Sequence, residues 1–270
     1  MHITNKISNY FEKFASHEFS SPIQSFINNG YVKLLGLNMS EFQAPSSYKT
    51  LNQLFTRALV KPRSFDTTSS NFICVADSYV SAQGEIRDGI ALQIKGMSYD
   101  IERLFTKYIS AENIAKLKNG NFMNFYLSPK DYHRYHSPYD AKVTKLIHVP
   151  GKLYPVNFTY LNKQDELFVE NERVILECVT NDNKLFYMVY VGALNVGKMV
   201  FEFEPRVATN EDATEIKVYE YNDLFIGKGD CLGYFKMGST VLLFWEENMV
   251  ELEDLLDHKV NFTDIIATAK

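Results

Sequence analysis

The chain has 270 residues, of which 46% are hydrophobic and 23% charged, and its formal net charge is -5 at pH 7. This length can bury one substantial core or two small ones. The acidic balance and the lack of basic runs exclude a typical nucleic-acid-binding protein. No apolar stretch reaches the roughly 20 residues of a membrane-spanning helix, and the N-terminus lacks the apolar core of a signal peptide. The chain has three widely spaced cysteines without CxxC spacing, Cys74, Cys178 and Cys231. They argue against a zinc site or a disulfide framework and suit a reducing cytoplasm.

Residues 1–60 are predicted to be helical, because their apolar residues repeat at helical spacing. A first stripe runs from Ile3 to Phe14, and a second runs from Ile23 to Leu35. Pro22, which follows two serines, suits the start of the second helix. A third, short helix is predicted over residues 51–59. Such stripes usually face the protein's own core, but one of them could instead lie on a bilayer surface.

After Pro62 the pattern changes to short apolar runs between turns, which is typical of β-strands. Helices are predicted near Asp100–Leu104 and Ala111–Leu117, and Asn181–Asn183 indicates a hairpin loop. The fold class is therefore α+β, with N-terminal helices on a mostly antiparallel β core. The runs predicted as strands are Phe72–Ala76, Ile90–Lys95, Phe122–Leu127, Val143–Val149, Val174–Val179, Leu185–Val191, Met199–Phe203, Ile216–Tyr221 and Thr240–Trp245.

A glycine-containing segment from Gly192 to Met199 matches a phosphate-binding loop up to its last position. There the pattern GxxxxGK[ST] needs a hydroxyl group for magnesium, and Met199 has none. The segment also lies between two predicted strands, whereas a P-loop opens a helix. Tight turns beside a site are the better interpretation of its glycines.

Two histidines, His133 and His136, lie three residues apart and would share a face if their segment were a helical turn. A zincin needs His-Glu-x-x-His, and this segment has neither that spacing nor the glutamate. Two histidines without a third ligand make a poor zinc site, so no metal is expected. General acid–base chemistry near neutral pH is the best use for the pair, and a purely structural role is the alternative.

The sequence Gly238-Ser239-Thr240 near the C-terminus is by itself a weak signal, usually a turn that enters a strand. It is not a GxSxG nucleophile elbow, because Val241 replaces the second glycine. Cleavage of the bond between Gly238 and Ser239 would release only a short C-terminal fragment.

Taken in order, these pieces resemble one family, the pyruvoyl-dependent phosphatidylserine decarboxylases. The block YLSPKDYHRYH at 126–136 is highly specific, and so is GYFKMGST at 233–240 in this context. The resemblance extends over about residues 50–245. The other matching segments are Phe55–Arg57, Ala76–Asp77, Ile94–Tyr99, Gly151–Asn157, Asn171–Val174 and Val191–Gly197.

The resemblance implies an enzyme that decarboxylates phosphatidylserine to phosphatidylethanolamine. It implies a proenzyme that cuts itself between Gly238 and Ser239 into a large chain 1–238 and a small chain 239–270. Ser239 would thereby become a covalent pyruvoyl cofactor, with which the substrate amine forms a Schiff base.

The resemblance also implies roles for individual side chains. Asp77, His136 and Ser239 would form the self-cleavage triad, in which His136 takes the serine proton and Asp77 orients the imidazole. His133 would serve the decarboxylation. Ser78 follows Asp77 where the family usually has glycine, so two other acids remain alternatives as the orienting group: Asp88 and Asp140.

Because the substrate would be a lipid, one of the N-terminal apolar stripes could hold the protein at the membrane. Residues 1–60 are predicted as a helical region that could associate with the membrane, and residues 61–270 as the catalytic β-rich domain. The protein is expected to be a homodimer, peripheral on the cytoplasmic face of the cell membrane, with Lys236 or Arg134 as candidates to hold the substrate phosphate. Two alternatives stay open: a pyruvoyl-dependent decarboxylase of a soluble amino acid, and an unprocessed relative that acts as a binding module.

Overall fold

The computed structural model describes residues 10, 12–94, 97–194, 198–210, 213–236 and 239–270, and for 94, 158 and 239 it describes the backbone alone. The helices of this part are α1 (12–16), α2 (Ser21–Leu35), α3 (Leu51–Phe55), α4 (Ile101–Phe105), α5 (Ala111–Leu117), α6 (Phe158–Leu161) and α7 (Leu167–Glu170). The strands are β1 (Asn71–Ile73), β2 (Ser78–Glu85), β3 (Ile90–Ile94), β4 (Met97–Asp100), β5 (Asn121–Leu127), β6 (Arg134–His136), β7 (Ala141–Val149), β8 (Arg173–Val179), β9 (Leu185–Val191), β10 (Met199–Phe201), β11 (Lys217–Ile226), β12 (Cys231–Phe235), β13 (Ser239–Trp245), β14 (Val250–Leu252), β15 (Lys259–Val260) and β16 (Ile265–Ala269).

The main sheet has eight antiparallel strands in the order β11-β7-β8-β9-β13-β5-β2-β15. Strands β8 and β9 are almost continuously buried, as expected where both faces of a sheet are covered. Each of the nine predicted apolar runs overlaps a strand, so the α+β prediction is confirmed. The predicted hairpin loop joins β8 to β9, and Asn183 takes the left-handed conformation there, with φ 58.

Two three-stranded sheets flank the main sheet, in the orders β10-β12-β6 and β1-β16-β14. The first carries the histidine segment, because β6 ends at His136 and pairs with β12. The helical turn considered for His133 and His136 is therefore wrong. In an extended segment, side chains three residues apart point to opposite sides, so the two imidazoles have different surroundings.

The N-terminal helices pack on one another through a small apolar cluster apart from the main core. Helix α2 ends at Gly36, whose φ of 64 closes the helix in the left-handed conformation that glycine tolerates. Helix α3 is capped by Thr50, whose Oγ1 accepts a hydrogen bond of 3.0 Å from the N–H of Gln53. These helices confirm the second and third predicted stripes, although α3 stops at Phe55. Residues 1–9 and 11 of the first stripe lie outside the described residues.

Candidate active site

The side chain of His136 is buried and has both ring nitrogens engaged. Nδ1 lies 2.9 Å from the carbonyl oxygen of Gly229, and Nε2 lies 3.1 Å from the hydroxyl of Tyr132. Because a carbonyl oxygen only accepts, Nδ1 carries the proton and the Tyr132 hydroxyl donates to Nε2. Burial lowers the pKa of His136 to about 4. The imidazole is therefore a neutral base with its lone pair on Nε2.

The ring of His136 is also clamped from its face. Phe262 stacks on it with ring centroids 3.6 Å apart and planes 14° from parallel. Phe262 lies between β15 and β16, and it shares a small apolar cluster with Tyr132 and Ile73. The imidazole is thus fixed in position and in tautomer before any substrate binds.

The imidazole of His133 lies on the other side of the same segment and is fully buried. Its Nδ1 lies 2.8 Å from the carbonyl oxygen of Asp131, and its ring packs on Phe55 with centroids 4.0 Å apart. Nε2 has no hydrogen-bond partner among the described residues. Burial lowers the pKa of His133 to about 3, so this ring is neutral as well. A buried, unpaired ring nitrogen is costly and marks a place for a ligand atom.

The carboxylate of Asp77 makes its described hydrogen bonds away from both imidazoles. Arg63 holds it in a two-pronged ion pair, with Nη2 3.0 Å from Oδ2, and also binds Glu41. The backbone N–H of Phe262 donates to Oδ1 over 2.8 Å. Asp77 is thus connected to His136 only indirectly: it accepts from the N–H of Phe262, whose ring stacks on the imidazole. The imidazole N–H itself is held by the carbonyl of Gly229.

The two alternative acids are farther from this arrangement. Asp88 is exposed in the turn between β2 and β3. Asp140 is exposed too, and its Oδ1 accepts a 2.7 Å hydrogen bond from the N–H of Lys228, next to Gly229. Neither makes a described hydrogen bond to His136.

Ser239 is the first residue of β13, and its backbone pairs with Leu127 at the end of β5. Its side chain and residues 237 and 238 lie outside the described residues, and so does the bond predicted to break. The flanking chain is anchored next to the histidines, because the N–H of Phe235 donates 2.9 Å to the carbonyl of His133. Phe235 is therefore hydrogen-bonded to the histidine segment, and Ser239, four residues later, begins strand β13.

The two cations considered for the substrate phosphate both have acidic partners. Arg134 donates to Glu202 over 3.1 Å and to the carbonyl oxygen of Thr56. The ammonium of Lys236 lies 3.7 Å from Glu12. Within the described ranges no group of three or more potential metal ligands occurs. No helix in those ranges is long and apolar enough to span a bilayer.

Tyr132 lies in the most specific motif block, but the sequence indicated no role for it. Arg63, Gly229 and Phe262 were not predicted as site residues. The block containing Tyr132 was the available signal. The other three are distant from the histidines in the chain and lie in segments without a recognisable motif, so only the fold brings them together.

Comparison with known proteins identifies the family of the chain. The family model for phosphatidylserine decarboxylase matches residues 51–266. The chain is 42% identical over 266 residues to the phosphatidylserine decarboxylase proenzyme of Helicobacter pylori strain Shi470, covering 98% of this chain and 97% of that protein. It is 38% identical over 272 residues to the proenzyme of that name from Campylobacter jejuni, covering 99% and 100%. A proenzyme from Nitrosospira multiformis is 35% identical over 227 residues, covering 82% and 77%.

The family model covers every segment of the candidate site, and the first two relatives align with almost the whole chain. The chain belongs to the phosphatidylserine decarboxylase family. The resemblance that the motifs carried is thereby confirmed, and the chain is a decarboxylase.

Proposed function

We propose that this member of the family decarboxylates phosphatidylserine to phosphatidylethanolamine with a pyruvoyl group that it makes from its own Ser239. The observation that carries the proposal is the pair of neutral, buried imidazoles beside the chain that leads into β13. One is oriented with a free-base Nε2, and the other has an unpaired Nε2. A soluble amino acid as substrate is the weaker candidate, because the whole chain aligns with lipid decarboxylase proenzymes.

Self-cleavage would begin when His136 Nε2 takes the proton of the Ser239 hydroxyl. The oxygen attacks the carbonyl carbon of Gly238, the amide C–N bond breaks, and an ester forms. Loss of the serine α-proton then expels the Gly238 carboxylate and leaves dehydroalanine, which water converts to a pyruvoyl group and ammonia. Tyr132 would give up its hydrogen bond to Nε2 as the serine approaches. Asp77 would act as a positioning residue, by holding Phe262 against the imidazole.

The pyruvoyl ketone supplies an electron sink for the pair of electrons left when carbon dioxide departs. The site fits such a group, because His133 is fully buried and its Nε2 has no hydrogen-bond partner among the described residues. In this proposal the neutral ring of His133 takes up at Nε2 the proton that the substrate ammonium loses on joining the ketone, and it delivers this proton to the α-carbon of the product. Its Nδ1 stays fixed on the carbonyl of Asp131.

The two chains are expected to stay together after cleavage. The small chain 239–270 contains β13 to β16, and it pairs with the large chain 1–238 through β5, β9, β2 and β1. The new chain end is therefore held by neighbours on both sides of β13. A homodimer is also proposed, on family resemblance and the frequency of two-fold assemblies, and the mass of the particle in solution tests it.

The pH dependence of self-cleavage tests the state of His136. In freshly translated precursor, the rate is expected to stay constant from about pH 8 to about pH 5 and to fall as pH drops through about 4, where Nε2 is protonated. A midpoint near 6.5 in a folded chain would contradict a buried, neutral base.

Acid could also stop self-cleavage by unfolding the protein, so folding must be measured separately from the protonation of His136. Because the folded pKa lies below the usual 6.5, the unfolded chain takes up the proton first, and the free energy of unfolding falls as pH drops from about 6.5 to about 4. The fluorescence of Trp245, which is fully buried, reports folding at each pH.

The protein is also proposed to be peripheral on the cytoplasmic face of the membrane. Residues 1–60 would associate with the membrane, and residues 61–270 would form the catalytic domain. The surface of helix α2 supports the membrane contact. The helix buries polar Gln24 and Asn28, whose amides are 2.8 Å apart, and Asn28 donates to the carbonyl of Tyr48. It exposes Phe26 by 81% and Leu34 by 83%. A helix that exposes large apolar side chains to solvent suits contact with lipid.

Replacing Phe26 and Leu34 together with serine is expected to weaken binding to phosphatidylserine-containing liposomes about tenfold, because two large apolar side chains no longer leave water. Self-cleavage should stay complete. Phe225→Ser is the matched control, since Phe225 is 65% exposed on edge strand β11. Liposome flotation measures the binding, and equal flotation of all three proteins would refute a lipid contact through α2.

A further inference from the structure

A cavity of about 300 Å³ lies beside the histidine segment and has strongly charged walls. One wall is formed by the chain that leaves α2 at Gly36. The charged groups around it are Glu41, Arg57, Arg63, Asp77, Lys130, Asp131 and Lys259.

The negative groups of this cavity are already paired inside the protein. Arg63 forms ion pairs with both Glu41 and Asp77. The carboxylate of Asp131 accepts hydrogen bonds of 2.7 Å from the backbone N–H and the hydroxyl of Ser128. Burial also raises the pKa of Asp131, which disfavours its charge.

Three cations remain without a carboxylate partner in the described part of the chain: Arg57, Lys130 and Lys259. Arg57 is the unusual one, because it is only 3% exposed. Its Nη2 donates to the carbonyls of Lys130 and Asp131 over 3.1 and 3.3 Å, while Nε and Nη1 have no acceptor among the described residues. A buried guanidinium with idle donors is costly unless an anion joins it.

The position of Arg57 connects this cavity to the proposed chemistry. The carbonyl oxygen of Asp131 that accepts from Arg57 Nη2 also lies 2.8 Å from Nδ1 of His133. The opposite wall begins at Gly36, where α2 with its exposed apolar side ends. The cavity therefore lies between the end of α2 and Asp131, whose carbonyl oxygen holds Nδ1 of the histidine proposed to protonate the product.

We propose that this cavity binds the phosphodiester group of the phospholipid headgroup through Arg57, Lys130 and Lys259. This inference rests on the proposed function, which supplies the substrate. The substrate carries a second anion, its carboxylate, but cations clamped on that group would stabilise the ground state and oppose loss of carbon dioxide. The phosphodiester keeps its charge throughout the reaction, so the same cations hold it in substrate and product.

The kinetic test compares the double variant Lys130→Ala/Lys259→Ala with Lys217→Ala, using phosphatidylserine dispersed in nonionic detergent micelles that lack bilayer charge. Lys130 and Lys259 are exposed, so their removal should spare folding, and Lys217 is an exposed lysine on β11 at the far edge of the same sheet as Lys259. In the double variant KM is expected to rise about tenfold while kcat stays unchanged, because the lysines bind substrate and transition state alike. In Lys217→Ala both constants should stay unchanged. Arg57→Lys keeps the charge without the planar fork and is expected to raise KM too.

Competing ligands separate the two anions and work without turnover. Glycerophosphoethanolamine has the phosphodiester but no carboxylate, and serine has the carboxylate but no phosphate. Calorimetry is expected to show glycerophosphoethanolamine binding to the wild-type protein about tenfold more tightly than to the double variant. Equal binding to both proteins, an unchanged KM, or a loss confined to serine would overturn the phosphodiester site. An intact wild-type chain that never turns over lipid, but still binds glycerophosphoethanolamine through these lysines, would instead overturn the proposed function alone.

Discussion

Replacing Ser239 with alanine should leave a single chain of 31.1 kDa with no decarboxylase activity above background. Alanine cannot attack the preceding carbonyl, so neither the cut nor the pyruvoyl group can form. Intact mass spectrometry of the wild-type protein should instead show two chains, 1–238 and 239–270. The small chain should resist Edman sequencing and gain mass with borohydride, because its first residue carries a ketone in place of an amine.

The fold of this variant should be unaffected, since β13 pairs with β5 and β9 through backbone groups. Ser81→Ala is the matched control, because it removes a serine hydroxyl elsewhere in the same sheet, which is buried and whose described contact is a long 3.5 Å hydrogen bond to the carbonyl of Asn124. It should be cut and active. Cleavage of Ser239→Ala at the same bond, or full activity from an uncut wild-type chain, would contradict a pyruvoyl group made from this serine.

The strands that could be predicted from the sequence are those whose apolar runs are continuous. Strands β5, β8, β9 and β13 are nearly uniform in burial or composition, and their positions follow from that pattern. Strands β6 and β12 were missed because one is three residues with a histidine and the other contains a glycine. Their pairing with each other and with β10 comes from contacts distant in the chain, which local pattern does not encode.

The same limit applies to the candidate site. The motif block singled out His133 and His136, but the helical interpretation put both on one face. The strand places His136 against Phe262 and His133 against Phe55. The resemblance implied that Asp77 orients His136, but the indirect route could not be predicted, because it depends on the N–H and ring of Phe262, in a loop without a motif.

These separate surroundings give the two histidines separable roles, which the same substitution at each position should reveal. Asparagine can keep the N–H that each Nδ1 directs at a carbonyl, of Gly229 or of Asp131, while removing Nε2. His136→Asn should remain an uncut chain, since no base activates Ser239. His133→Asn should be cut normally but lose about 10²- to 10⁴-fold in decarboxylation rate, the usual contribution of a positioned proton donor.

His258→Asn is the control for this pair, because His258 is exposed and its Nδ1 also contacts a carbonyl, that of Leu256, over 2.8 Å. It should be cut and active. Gel electrophoresis scores the cut, and release of labelled carbon dioxide from phosphatidylserine scores the reaction. Tyr132→Phe adds a finer test: without the hydroxyl that competes for Nε2, His136 is free to meet the serine, and cleavage should be as fast as in the wild type or faster. If His133→Asn stayed whole while His136→Asn was cut, the assignment of base and proton donor would have to be reversed.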